Sequence, residues 1–241
     1  MATRPVVRYR SEPGISANEL ARYLIAGDHA REGIIRRAKE IATATVIRYR
    51  DLRGGLSAFL ADPMRPRTLL VDLEATLQQK VDDRSLSDFV REDAQKSVEA
   101  LQAFHRFLNQ LGGYNFQAPP KWGGALDIEG VAVNVYPDLA LVAQSRSAQR
   151  YGVALFRLAK GDDNESEAAA TKRAEMAKYV ATLAFMHAQS QCIPDHEPHH
   201  SLCLSIDVQN QEVVSASRSI SQRANNIRAA CRAIKRTWSE V

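Results

Sequence analysis

The feature that most constrains this chain is a change of hydrophobic period near Gly124. Before it the apolar residues recur at helical spacing, and after it they alternate. SANELARYLIAG opens with a capping box, Ser16 to Glu19, and sets Leu20, Tyr23 and Leu24 on one face. Asp28 then caps DHAREGIIRRAKEI, whose apolar stripe is Ile34, Ile35, Ala38 and Ile41. VIRYRDLRGGLSAFL reads as a third helix interrupted at Gly54-Gly55. Two longer helices are expected at 67–81 and 85–111, with His105 at the core or its boundary beside Leu101, Phe104 and Leu108. GGYNFQAPPKWGG ends the helical region.

Beyond Gly124, Val131, Val133, Val135, Leu139 and Leu141 fall on one face, and Ala132, Asn134, Tyr136 and Asp138 on the other. YGVALFRLAK is a further strand, and ESEAAATKRAEMAKYVATLAFMHAQ is a helix with Met176, Tyr179, Val180, Leu183 and Met186 inward. SLCLSIDVQNQEVVSA reads as a hairpin turning near Asn210. The final helix, 219–238, buries Ile227, Cys231, Ile234 and Trp238. The expected class is α+β: a helical N-terminal region, 1–118, then a mixed β-sheet flanked by helices, 119–241.

Charge is unevenly placed. Residues 1–67 carry 13 Lys/Arg against 7 Asp/Glu, and residues 218–241 carry 6 against 1, whereas 68–217 carry 13 against 20. Two basic ends around an acidic middle point to a polyanionic partner, DNA in preference to RNA, if the ends share a surface. The candidate nucleic-acid residues are Arg228, Arg232, Lys235 and Arg236 on the outer face of the last helix. No run approaches the ~18 apolar residues of a membrane helix, so no membrane partner is expected. MATRPVVRYRSEPG lacks the apolar segment of a secretory signal, and three cysteines are too few for a disulfide framework. The expected location is cytoplasmic.

The chemistry-bearing pattern begins at Pro137-Asp138 and continues 22 residues later with Lys160, at the end of the next strand. A helix then carries Glu175-Met-Ala-Lys-Tyr179. Over 124–241 this resembles the PD-(D/E)XK nuclease superfamily, in particular its RecB-like branch. The resemblance implies a restriction-endonuclease-like core. It also implies a DNA nuclease, a phosphodiester hydrolase of the kind associated with bacterial defence. Asp138 and a second acid would hold Mg²⁺ or Mn²⁺, and Lys160 would position the attacking water. Glu175 stands where that branch carries Gln in Gln-x-x-x-Tyr. Leu158, however, occupies the second acid position, two residues before Lys160. Either an acid has migrated (Asp162, Asp163, Glu165, Glu167 or Glu175; Glu129 sits at a hairpin turn) or the chain is a non-catalytic subunit that binds nucleic acid or a protein. The sites so implied are catalytic Asp138, Lys160 and Glu175, with Asp138 and Glu167 on the metal.

CIPDHEPHHSLC, 192–203, has zinc-type donors, but not the paired C-x2-4-C and H-x3-5-H spacing of zinc modules. It reads as a polar helix-to-strand connection, and a structural zinc is not expected. The iron–sulfur cluster of some RecB-like proteins needs four cysteines and is not expected either. A third reading takes residues 16–41 as a helix-turn-helix. No Walker loop, GxGxxG, GxSxG or HExxH occurs.

Overall fold

A computed structural model describes residues 8–41, 48–120, 124–144, 149–160, 166–191, 193 and 195–240. The front of the chain holds β1 (Arg8–Tyr9), β2 (Gly14–Ser16), α1 (Ala17–Ile25), α2 (Asp28–Lys39) and β3 (Glu40–Ile41). Next come α3 (Arg50–Ala61), α4 (Thr68–Asp82), α5 (Asp88–Phe107), a 3-10 turn at Leu108–Leu111, and β4 (Phe116–Gln117). The back holds β5 (Gly124–Ile128), β6 (Val131–Val135), β7 (Leu139–Gln144), β8 (Gln149–Arg157) and α6 (Glu167–Ser190). It ends with β9 (His196–Pro198), a 3-10 turn at His200–Leu202, β10 (Leu204–Asp207), β11 (Glu212–Ser215) and α7 (Ser221–Thr237). The class is α+β, as the change of period implies.

Serine hydroxyls start three of the helices. Ser16, Ser87 and Ser166 each accept a hydrogen bond from the backbone N–H three residues on, satisfying a donor the helix cannot. The expected break at Gly54-Gly55 is absent: α3 runs through both. A Cβ on Gly55 would stand 2.5 Å from a Leu73 methyl, so the glycine lets α4 pack closely on α3. The front is less purely helical than its periodicity suggests, because three short strands precede α3. His105, expected at the core, lies on the exposed side of α5.

The main sheet has the order β11-β10-β8-β7-β4, with β9 also pairing β8. β7 and β8 are antiparallel; α6 then crosses over so that β10 runs parallel to β8. A second sheet, β2-β6-β5, joins the front of the chain to the back. β8 is buried on both faces. Tyr151, Val153 and Leu155 point to one core with α1, α2, α6 and α7. Ala154, Phe156 and Leu158 point to another with α3, α4 and α5. Each core draws residues from both sides of position 118. Gly152 is required on β8, since a Cβ there would stand 2.2 Å from the Leu202 carbonyl oxygen.

Candidate functional site

Asp138 stands one residue before β7, where its N–H donates to the Ala154 carbonyl at 2.9 Å and lengthens the ladder. Its carboxylate turns toward α3. Arg53 Nη1 donates to both carboxylate oxygens at 2.7 Å, and the Phe156 N–H donates to Oδ2 at 2.6 Å. Arg53 Nη2 completes the ring by donating to the Phe156 carbonyl at 3.0 Å. The side chain of Asp138 is 8% exposed. Burial pushes its carboxyl above the usual range, and Arg53 and the Phe156 amide pull the other way. A groove of about 440 Å³ opens in front of this pair, walled by Arg53, Ser57, Ala58, Ala61, Pro119 and Asp138.

Two of the other motif positions, Leu158 and Glu175, are committed elsewhere. Leu158 is 2% exposed and belongs to the core beneath α3–α5. Lys160 lies three residues beyond the end of β8 and is exposed. Glu175 bonds Lys178 at 3.1 Å and accepts from Arg223 of α7 at 2.9 Å. Burial pushes its carboxyl up, but these two cations outweigh that and hold it below the usual range. Tyr179, one turn on, accepts from Asn226 of α7 at 2.8 Å, so the Glu175-x-x-x-Tyr179 pair fastens α6 to α7. Glu167 is the exposed first residue of α6, where an acid suits the helix dipole. Asp162, Asp163 and Glu165 lie outside the described residues.

Metal coordination by this set does not fit. Asp138 has spent its oxygens on Arg53 and Phe156, Glu175 on Lys178 and Arg223, and Leu158 has nothing to offer. Among the described residues no three His, Cys, Asp or Glu side chains are grouped to hold an ion.

A second buried ion cluster escaped the sequence pattern. Asp207, fully buried, accepts from Arg173 of α6 at 2.8 and 2.9 Å and stands 3.2 Å from Arg157. Arg173 also donates to the Ala159 carbonyl at 2.8 Å. Arg157 and Asp207 are register partners at the ends of the parallel strands β8 and β10. Two signals were available: an arginine ending an otherwise apolar strand, and Asp207 alternating with the buried Cys203 and Ser205. Arg53 gave none beyond its place in a segment read as helix.

The basic helix face is as expected: Arg228, Arg232, Lys235 and Arg236 are exposed on α7. Arg232 pairs with Glu129 at 2.9 Å, and Lys235 lies over Gly130 in the β5–β6 turn. Lys39, ending α2, donates to the Trp238 carbonyl at 2.8 Å, which joins the two basic ends of the chain.

The histidine-rich connection is more ordered than a plain polar loop. It forms β9 against β8, then a 3-10 turn in which His199 and His200 stack at 4.6 Å. His199 engages Ser201 and His200 engages the Ala216 carbonyl. Cys203 is buried, its thiol pushed up to about 12 by desolvation. Cys192 and Pro194 lie outside the described residues. No helix among the described residues is long and apolar enough to cross a membrane. No protein-family model matches this chain, and no curated protein matches its sequence.

Proposed function

We propose that this chain is a non-catalytic nucleic-acid-binding subunit on a divergent PD-(D/E)XK nuclease-like core. The observation that carries the reading is the closure of Asp138: the acid that would hold a metal is instead neutralised by Arg53. Leu158 in the core agrees with it. The β7–β8 hairpin, the α6 crossover and parallel β10 are compatible with such a core. Support for a polyanion partner comes from the Lys39–Trp238 contact, which brings the basic end of α2 to the basic end of α7.

The test uses fluorescence anisotropy of a labelled DNA duplex between about 50 and about 200 mM salt. Affinity should fall steeply across that range. Changing Arg228, Arg232 and Arg236 together to Glu should weaken binding to unrelated sequences equally. The same mixtures with Mg²⁺ or Mn²⁺ should leave the DNA intact. Cleavage that Asp138→Asn abolishes would restore the enzyme reading, with an acid supplied from beyond the described residues. No binding, or binding indifferent to salt and to the triple change, would leave a protein partner as the better reading.

A further inference from the structure

A second groove, of about 330 Å³, lies between β2, β6 and the end of α2. Arg10, Ser16, Arg37, Asn134 and Tyr136 line it. Tyr136 is 68% exposed, in the link from β6 to β7, directly before Pro137-Asp138. A large ring so placed contributes nothing to either core. The Arg10 guanidinium lies over Gly14, 3.7 Å from where a Cβ would stand, and the Arg10 N–H donates to the Lys39 carbonyl at 2.8 Å. That second bond fixes Arg10 beside the basic end of α2.

Two acids also line the groove, Glu19 and Glu40. Glu19 stands 3.6 Å from Arg22 and 3.9 Å from Arg37, so cations on both sides compensate it. Glu40 is exposed at the rim, opposite Tyr9 in the β1–β3 pair. The groove is therefore not a field of one sign. It offers an aromatic face, a side-chain amide and two guanidinium groups at the scale of a single nucleotide.

We infer that this groove holds one unpaired nucleotide of a single-stranded nucleic acid, with its base stacked on Tyr136 and its phosphates met by Arg10 and Arg37. The chemistry is that of a stacking platform beside a cationic track. A base pair cannot present its ring face in this way, so the groove selects single strands. Asn134 supplies donors and an acceptor for a base edge. The inference rests on the nucleic-acid reading above, and it adds the strandedness and the residue that reads it.

Labelled single-stranded DNA and the corresponding duplex, titrated against the same variants, separate the two. Tyr136→Ala should weaken single-strand binding about tenfold, within the range for loss of one stacked base, and leave the duplex unchanged. Tyr136→Phe should bind as the native chain does, since the ring is kept. Arg37→Glu should weaken the single strand and make its loss in salt shallower, since one phosphate contact fewer releases fewer counterions. If Tyr136→Ala leaves single-strand affinity intact while the triple change on α7 weakens both forms, the groove is overturned and the nucleic-acid reading stands. If the native chain binds neither form, both fail together. Equal weakening of single strand and duplex by Tyr136→Ala would also overturn the proposal.

Discussion

Removing Arg53 tests the reading of Asp138 most directly. Arg53→Met keeps the length of the aliphatic stem and strips the guanidinium, leaving a carboxylate that is 8% exposed with one amide donor, Phe156 N–H, at 2.6 Å. Breaking one side of a buried ion pair typically costs about 3–5 kcal/mol. Arg53 retains 29% exposure on the groove side, so water screens part of the interaction and the lower end, about 3 kcal/mol, is the working figure. With a urea slope of about 3 kcal/mol per molar, the unfolding midpoint should fall by about 1 M. Asp138→Asn should cost less, because the amide oxygen can still accept from Arg53 and Phe156.

The pH dependence has a definite sign. Burial holds the Asp138 carboxyl above its ordinary value, and loss of Arg53 raises it further. A folded-state value above the unfolded one means that the folded chain binds the extra proton, so stability falls as pH rises between the two values. The Arg53→Met penalty should therefore be full at neutral pH and shrink as pH falls toward the carboxyl's raised value. Arg53→Met with Asp138→Leu should recover much of the loss, since neither leaves an unpaired charge. The assay is urea unfolding followed by far-ultraviolet circular dichroism. An unchanged midpoint in Arg53→Met, or a double variant as unstable as the single one, would refute the ion pair as the fixed role of Asp138 and reopen it as a ligand.

Three further outcomes follow from particular contacts. Asp207→Asn should destabilise by about 3 kcal/mol, because it leaves Arg157 and Arg173 facing each other without their carboxylate, and thermal unfolding would read it. Gly152→Ala should destabilise severely or abolish soluble expression, since the opposing Leu202 carbonyl is backbone and cannot rotate away. Cys203 and Cys231 should resist alkylation in the folded chain at pH 8, as burial pushes both thiols up to about 12. Mass spectrometry of iodoacetamide-treated peptides with and without urea measures that directly.

What the sequence disclosed was whatever depends on near neighbours. The change of period separated the helices from the sheet, and alternation set Val131, Val133 and Val135 on one face, all three buried in the same core. The α7 stripe of Ile227, Cys231, Ile234 and Trp238 is buried, with the arginines outward. What it hid depends on partners far along the chain. Gly55 looked like a helix breaker because its reason, Leu73, belongs to another helix. Asp138 looked like a ligand because Arg53 lies 85 residues earlier, in a segment whose periodicity says only helix. The front of the chain also looked separable, yet β2 pairs with β6 and β4 closes the main sheet.

The end of β8 bears most directly on function. A strand buried on both faces can present chemistry only where it emerges, and here it emerges as Arg157, Leu158, Ala159 and Lys160. Leu158 turns into the core, the Ala159 carbonyl is held by Arg173, and Arg157 enters the cluster with Asp207. A metal-dependent nuclease needs excess negative charge at this point to draw in a divalent cation. Among the described residues, Arg157 and Arg173 both face the carboxylate of Asp207. Restoring one acid by Leu158→Glu would bury a carboxylate among Phe156, Leu204 and Ile206, so it should unfold the core before it could create a site. A stable Leu158→Glu protein that cleaves DNA in Mn²⁺ would show that the strand end is more open than its packing implies, and that metal chemistry lies a single residue away.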